Sequence, residues 1–207
     1  MTAVGRRRVG RPGHDQEAVL AAAVRLFNQR GYEATSMGDL AEALRITKSS
    51  IYHHVTSKQD LLRMAVNHAL DGLEAAAAEV RAPDRPAIDR LELLVRRSVL
   101  VLAGRLEFVT LLLRVRGNNG IEKDALMRRK ILDAQVTDLV KQAQADGDLR
   151  ADVDPATAAR LLFGMVNSLT EWYRPRPGGA DAIAGTVVTL AFEGLRTRPE
   201  QGLRTPE

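Results

Sequence analysis

The segment from residue 47 to residue 53 combines side chains that suit contact with nucleic acid. On the short helix predicted there, the exposed positions are Thr47, Lys48, Ser49, Ser50, Tyr52 and His53. Hydroxyl and ring groups donate hydrogen bonds to phosphates and base edges, and small side chains let the helix backbone approach the bases. Lys58 adds a cation in the first turn of the following helix, where free N–H groups also favour a phosphate. We therefore interpret this segment as a DNA-reading helix.

The elements that position this helix have the pattern of a helix-turn-helix. Ser36, with Asp39 three residues later, predicts the capped start of one helix, and Thr47 caps the next after a turn at Arg45. Two short helices joined by a tight turn place the second in the major groove. Chance also puts such residues on ordinary helical hairpins, but the agreement of spacing, caps and basic flank favours DNA binding. Further candidate DNA contacts beside these helices are Thr35, Ser36 and Arg45.

The excess positive charge of the chain is confined to its first third. Residues 1–63 hold 10 Lys and Arg against 6 Asp and Glu, a balance of +4, whereas residues 64–207 hold 20 of each. This asymmetry indicates a polyanionic partner for the N-terminal part. The basic run before the first helix fits either a solubilising tail or an arm that follows phosphates or enters the minor groove. Its cations are Arg6, Arg7, Arg8 and Arg11.

Helical periodicity extends along almost the whole chain, and no segment alternates convincingly as a strand would. We therefore predict an all-α protein in which a three-helix, helix-turn-helix domain precedes a C-terminal helical domain. The expected divisions are a disordered basic arm at 1–14, the DNA-binding domain at 15–62, the helical domain at 63–197 and a disordered tail at 198–207. The helices expected in the C-terminal domain are at about 86–103, 106–115, 122–145, 155–173 and 180–196.

Composition and motifs disfavour several function classes. The chain has no cysteine, which rules out disulfides, thiolate zinc sites and a cysteine nucleophile. His53 and His54 point about 100° apart on a helix and cannot readily chelate one ion, so we expect no metal. We find no catalytic constellation and no cofactor motif, so we expect neither an enzyme nor a cofactor. No apolar stretch approaches the roughly 20 residues that span a bilayer, so we expect no membrane partner and a cytoplasmic location.

Residues 15–62 resemble the DNA-binding domain of the TetR family of bacterial transcription regulators. The features that carry the resemblance are Ala22-Ala23, Leu26-Phe27, Gly31-Tyr32, Thr35-Ser36, Leu40-Ala41, the run from Ile46 to His54, Lys58 and Leu61-Leu62. The resemblance implies a homodimer that binds a near-palindromic double-stranded operator. It also implies that the dimer leaves the operator when a small ligand binds the domain at 63–197, which would also carry the dimer interface.

Two positions depart from the family's pattern. Arg45 stands where glycine is frequent, and Val55 stands where an aromatic residue is common. A left-handed backbone at Arg45 would cost roughly 1–2 kcal/mol, so either the turn is reshaped or Arg45 gains a phosphate contact.

Only two short sequence similarities bear on the identity of the ligand. Residues 111–118 and 172–175 are similar to TetR-type regulators of lipid and sterol breakdown that sense acyl-CoA thioesters. An acyl-CoA needs an apolar tube and cations for its phosphates, and both ingredients are present. The candidate effector-binding residues are Leu111, Leu112, Arg114, Arg116, Asn118, Met165, Leu169, Trp172 and Arg174. For any one of these residues, ordinary core packing or a solvated charge is an equally good interpretation.

Together these features predict a repressor that a small-molecule effector, such as an acyl-CoA or another lipid-derived ligand, releases from its operator. The alternative is an architectural DNA-binding protein without a ligand response. The zero net charge of residues 64–207 argues against that alternative, because proteins that wrap DNA usually spread basic residues widely.

Overall fold

The computed structural model describes residues 16–82 and 84–195. These ranges form helices joined by short loops, with no β-strand among them, so the predicted all-α fold is confirmed. In chain order the helices are α1 (Gln16–Arg30), α2 (Met37–Leu44), α3 (Lys48–Tyr52), α4 (Lys58–Glu79), α5 (Ala87–Gly104), α6 (Leu106–Arg114), α7 (Gly120–Ala145), α8 (Pro155–Trp172) and α9 (Gly179–Leu195). None of the described helices is long and apolar enough to cross a membrane. The predicted arm at 1–14 and tail at 198–207 lie outside the described residues.

Local caps explain where the helices begin. Asp154 accepts the backbone N–H of Thr157 at 2.8 Å, and Pro155 takes the first position of α8, as the sequence predicts. α7 begins at Gly120 rather than near residue 122. The reason is a cap that the sequence analysis missed, since Asn119 Oδ1 accepts the backbone N–H of Glu122 at 3.0 Å.

The chain divides into two compact units, residues 1–64 and 65–207, and the division falls inside α4. The core of the first unit contains the buried side chains of Val19, Ala23, Phe27, Leu40, Ile51, Val55 and Leu61. Val55, at the position where the family more often has an aromatic residue, is 3% exposed and so belongs to this core.

In the second unit, α5 contacts α6, α7, α8 and α9. Its buried face includes Leu91, Val95, Val99 and Leu102, each at most 1% exposed. Removing a side chain of this size from water contributes about 1.5–3 kcal/mol to folding. Because four helices pack against this face, α5 is the centre of the core. Helices α4 to α8 also leave a cavity between them, which is described below.

Candidate DNA-binding surface and effector cavity

A reciprocal pair of hydrogen bonds fixes the start of α2. Ser36 Oγ accepts the backbone N–H of Asp39 at 3.2 Å, and Asp39 Oδ2 accepts the backbone N–H of Ser36 at 2.7 Å. The Ser36 hydroxyl also donates to this carboxylate, and the two bonds from Ser36 hold the pKa of Asp39 below its usual range. The capping box predicted from the sequence is therefore present, and it orients the first helix of the helix-turn-helix.

The turn between α2 and α3 is built on a left-handed arginine. Arg45 has φ 55° and ψ 40°, and it is the one non-glycine residue with positive φ in the described part of the chain. Its backbone N–H donates to Glu42 O at 3.0 Å, and that of Ile46 donates to Ala41 O at 3.0 Å. The turn therefore keeps the left-handed conformation that suits glycine, at a cost of roughly 1–2 kcal/mol. The side chain of Arg45 is exposed.

α3 is anchored on one side and polar on the other. Thr47 Oγ1 accepts the backbone N–H of Ser50 at 3.2 Å, which starts the helix, and Ile51 is fully buried beneath it. Tyr52, by contrast, is 52% exposed. The exposed side chains of this segment are Thr47, Lys48, Ser49, Tyr52 and His53. A short helix of this kind has the shape and the donors needed in a major groove.

Two residues expected to contact DNA are used inside the protein. Thr35 is 1% exposed and its hydroxyl donates to Gly31 O at 2.8 Å, so this side chain is engaged within the protein. Lys58 Nζ donates to Tyr32 O at 3.0 Å and to Glu33 O at 3.4 Å, and lies 4.3 Å from the centre of the Tyr32 ring. The ammonium thus already has partners within the first unit, which the periodicity of the helices does not reveal. Arg6, Arg7, Arg8 and Arg11 lie outside the described residues.

The second unit contains a narrow, mainly apolar cavity. Its free volume for water-sized molecules is about 50 Å³. The apolar part of its wall is Leu73 and Ala77 of α4, Leu94 and Leu102 of α5, Val109, Leu112 and Leu113 of α6, Leu132 and Val136 of α7, and Phe163 and Val166 of α8. Helices α4 to α8 therefore all contribute to the wall of the cavity.

Four polar side chains interrupt this wall, namely Ser98, Arg129, Asp133 and Asn167. Arg129 donates from Nη1 to Leu112 O at 3.4 Å, and no described carboxylate oxygen lies within 4.0 Å of it. The sequence analysis did not select these residues. The available signal was the face shared by Arg129, Leu132 and Val136, at spacings of three and seven residues on α7.

Of the predicted effector-binding residues, Leu112 alone lies in the wall of this cavity. Those buried elsewhere are Leu111 and Leu169, and those exposed are Arg114, Arg116, Asn118, Met165, Trp172 and Arg174. The reason is the helical period, which turns neighbouring residues about 100° apart. On α8 the cavity side is therefore Phe163, Val166 and Asn167, whereas Trp172 and Arg174 border a separate surface groove beside α9.

The loop before α7 is organised by a buried carboxylate. Glu122 is 5% exposed, and its Oε2 accepts the backbone N–H groups of Arg116, Gly117 and Asn118 at 2.8, 2.8 and 3.1 Å. Burial by itself raises the pKa of Glu122, but these bonds, with one from the Asn119 side chain, hold it below the usual range. The donors of this loop are thus occupied by Glu122.

Two family models together match most of the chain. "Bacterial regulatory proteins, tetR family" matches residues 19–65, and "Tetracyclin repressor-like, C-terminal domain" matches residues 84–195. The chain belongs to the TetR family. Proteins of the TetR family are transcription regulators that bind operator DNA, dimerise and respond to small-molecule effectors, which confirms the kind of function expected from the helix-turn-helix.

TetR-family relatives match along nearly the whole chain. The repressor KstR2 of Rhodococcus jostii is 27% identical over 90% of this chain and 93% of its own. The crystal structure of SCO3833, a TetR regulator of Streptomyces coelicolor, is 51% identical, covers 86% of this chain and 91% of that chain, and has a TM-score of 0.81. AibR, solved in complex with isovaleryl coenzyme A and operator DNA, is 29% identical, covers 86% and 97% of the two chains, and has a TM-score of 0.70.

Proposed function

We propose that this TetR-family regulator is a repressor that leaves its operator when an acyl-CoA, or another lipid-derived ligand, enters the cavity. The observation that carries the proposal is the course of α4. This helix begins at Lys58 within the DNA-binding unit, and its second half supplies Leu73 and Ala77 to the cavity wall. The ligand class is supported by AibR, a relative solved with isovaleryl coenzyme A.

The size of the cavity explains how a ligand could act. Its free volume for water-sized molecules is about 50 Å³, so the cavity is narrow. A bulky acyl group would be accommodated by displacing the lining helices, and α4 is one of them. Moving α4 changes the distance between the two recognition helices of a dimer, which must match half-sites about one helical turn or more apart. The ligand shifts this equilibrium only by its preference for the expanded form.

On the DNA side, we assign base and phosphate contacts to the exposed side chains of α3, Lys48, Ser49, Tyr52 and His53. Ser36, Thr47 and Ser50, at the starts of α2 and α3, and the left-handed Arg45 are assigned to phosphates. The arginines of the arm, Arg6, Arg7, Arg8 and Arg11, extend this contact, and deleting residues 1–11 should weaken binding to every DNA sequence. Because the operator DNA of a bacterium lies in the cytoplasm, we assign the protein to that compartment.

A second copy of the chain would cover an apolar face on α8 and α9. Leu161 and Trp172 of α8 are 66% and 56% exposed, and Leu190 of α9 is 66% exposed. Leu161, Met165 and Trp172 follow one another at four and seven residues, so they share one face of α8. Exposed apolar side chains grouped in this way are typical of an interface between subunits. We therefore place the homodimer interface on these two helices.

Release of operator DNA by a series of thioesters tests the proposal. The full chain is bound to DNA from upstream of its own gene, and isovaleryl-, octanoyl- and palmitoyl-CoA are titrated while complex mobility is followed. We expect at least one thioester to free the DNA, with affinity rising by about 0.8 kcal/mol per buried methylene until the cavity is full. Release by octanol but by no thioester would refute the acyl-CoA class and leave ligand control standing.

The competing function is an architectural protein without a ligand response. It predicts that neither these thioesters nor a metabolite extract changes the mobility of the complex. The neutral charge balance of residues 64–207 disfavours it, and so does a cavity wall shared with α4.

A further inference from the structure

A second pocket lies directly beside the apolar cavity. Its volume is about 150 Å³, and its wall comes from the end of α4, from α5 and from α7. The residues that line it are Ala77, Val80, Arg81, Arg90, Leu94, Gln135, Asp138, Leu139 and Gln142. Two of them, Ala77 and Leu94, also line the apolar cavity. The two spaces therefore adjoin at Ala77 and Leu94.

This second pocket contains a buried cation that has only neutral acceptors. Arg90 is 8% exposed, and its guanidinium donates to Val80 O at 2.8 Å, Arg81 O at 3.2 Å and Gln142 Oε1 at 3.1 Å. Among the described residues, no carboxylate oxygen lies within 4.0 Å of it. A buried charge is normally paired, and here the carbonyls at the end of α4 supply the compensation. An anion in the pocket would complete the pairing.

The other charges at the pocket leave a positive balance. Arg81 is exposed at its edge and adds a second cation, while Asp138 opposes them and lies 3.5 Å from Lys141 Nζ on its own helix. By contrast, the apolar cavity holds one cation and one anion, Arg129 and Asp133. The attraction for an anion is thus greater in the second pocket than in the cavity.

We infer that the anionic end of the effector binds in this pocket against Arg90 and Arg81, while its apolar part passes between Ala77 and Leu94 into the cavity. The inference rests on the proposed function. It assigns the cationic site to Arg90 on α5 and Arg81 just after α4, instead of to Arg114, Arg116 and Arg174, which lie outside the cavity wall. The anion is a carboxylate or a phosphate, since a guanidinium fork binds either in the same way.

Calorimetric titration of the full chain tests this assignment with three probes: octanoyl-CoA, octanoate and neutral octanamide. Arg81→Gln should weaken binding of the anionic probes about three- to tenfold, and Arg90→Lys, which keeps the charge but loses the fork, about tenfold. Asp138→Asn should strengthen binding of the anionic probes about two- to threefold. Binding of octanamide should not change. Matched controls are Arg85→Gln and Asp124→Asn, which alter exposed charges outside the pocket.

Each result has a defined meaning. Sensitivity of both anions indicates that a carboxylate suffices, and sensitivity of octanoyl-CoA alone indicates the phosphates of coenzyme A. If the probes bind and free DNA but Arg81→Gln and Asp138→Asn leave every affinity unchanged, the inference is overturned while the proposed function stands. Equal affinity of the wild type for octanamide and the anions overturns it as well. If no probe binds or frees DNA, the proposed effector class fails and this assignment fails with it.

Discussion

Arg128 on α7 donates two parallel hydrogen bonds to Glu74 on α4, with Nε 2.7 Å from Oε1 and Nη2 2.8 Å from Oε2. The same guanidinium reaches Asn67 Oδ1 at 2.7 Å and Asp71 Oδ1 at 2.8 Å, so it spans two turns of α4. The bonds to Glu74, and then those to Asp71, raise the pKa of Arg128 above its usual value. The next residue, Arg129, lines the cavity, so this clamp of Arg128 on α4 adjoins a cavity-lining position of α7.

Replacing Arg128 with glutamine should therefore loosen α4. We expect Arg128→Gln to lower the free energy of unfolding by about 1–2 kcal/mol, because charged hydrogen bonds are lost and Glu74 keeps no partner of equal quality. Because α4 is then easier to displace, DNA should be released at lower effector concentrations. Urea denaturation and DNA release measure the two effects.

Arg97→Gln provides the matched control. Arg97 joins α5 to the end of α4 through a single bond to Glu79 at 2.8 Å, and both side chains are about half exposed. Loss of this bond should lower the free energy of unfolding by at most about 0.5 kcal/mol. If Arg128→Gln and Arg97→Gln lower the free energy of unfolding equally, the clamp at Arg128 stabilises α4 no more than an exposed ion pair does.

The left-handed turn gives a second prediction. Arg45→Gly should raise the stability of the DNA-binding unit by about 1 kcal/mol, since glycine adopts a φ of 55° without strain. If Arg45 also binds a phosphate, the same variant should bind operator DNA more weakly. Thermal unfolding and operator affinity at one salt concentration separate the two effects, with Arg45→Lys as the variant that keeps both strain and charge. A loss of stability in Arg45→Gly would contradict the argument.

The polar face of α3 gives a third prediction. Tyr52→Phe and Lys48→Ala should each weaken operator binding by roughly 1–3 kcal/mol if the lost group reads a base or pairs with a charge, without lowering the unfolding temperature. Mobility-shift titration measures the affinity. Gln59→Ala, which removes an exposed side chain at the start of α4, serves as the control. Wild-type affinity in both test variants would exclude α3 as the reading helix.

Glu122 gives a pH prediction with a definite sign. Its pKa in the folded protein lies below the ordinary value of 4.5, so the folded state favours the carboxylate. The resulting stability is present above about pH 4.5 and is lost as the pH falls through that value toward the folded pKa. Unfolding free energies at pH 7 and pH 4 should therefore differ less in Glu122→Gln than in the wild type. An identical pH dependence in both proteins would remove Glu122 from the acid response.

Local chemistry made much of the fold predictable. The Ser36–Asp39 box, the Thr47 cap and the Asp154-Pro155 start each depend on residues within three positions of one another, and each is found as expected. The burial of Val19, Leu40 and Ile51 follows from helical periodicity in the same way. These features need no knowledge of how distant segments pack.

The site was less predictable, because it depends on tertiary contacts. A buried Thr35 and a Lys58 bound to Tyr32 look from the sequence like free polar groups beside a recognition helix. Periodicity alone does not say which side of α8 faces the cavity, and the structure places Val166 rather than Met165 in the cavity wall. Arg90 and Arg128 have partners 52 and 54 residues away, at Gln142 and Glu74. No local pattern signals such pairs.

On the proposed function, the narrow cavity would also set a concentration threshold for the regulator. When the form that accepts a ligand is a minor fraction of the molecules, the apparent dissociation constant equals the intrinsic constant divided by that fraction. A form populated at about one molecule in a hundred would shift the half-response about a hundredfold upward. On the proposed function, a narrow cavity would therefore protect the operator complex from traces of a metabolite and reserve its release for sustained accumulation. Substitutions that hollow the wall at Leu73 or Phe163 would lower this threshold without touching the DNA-reading helix.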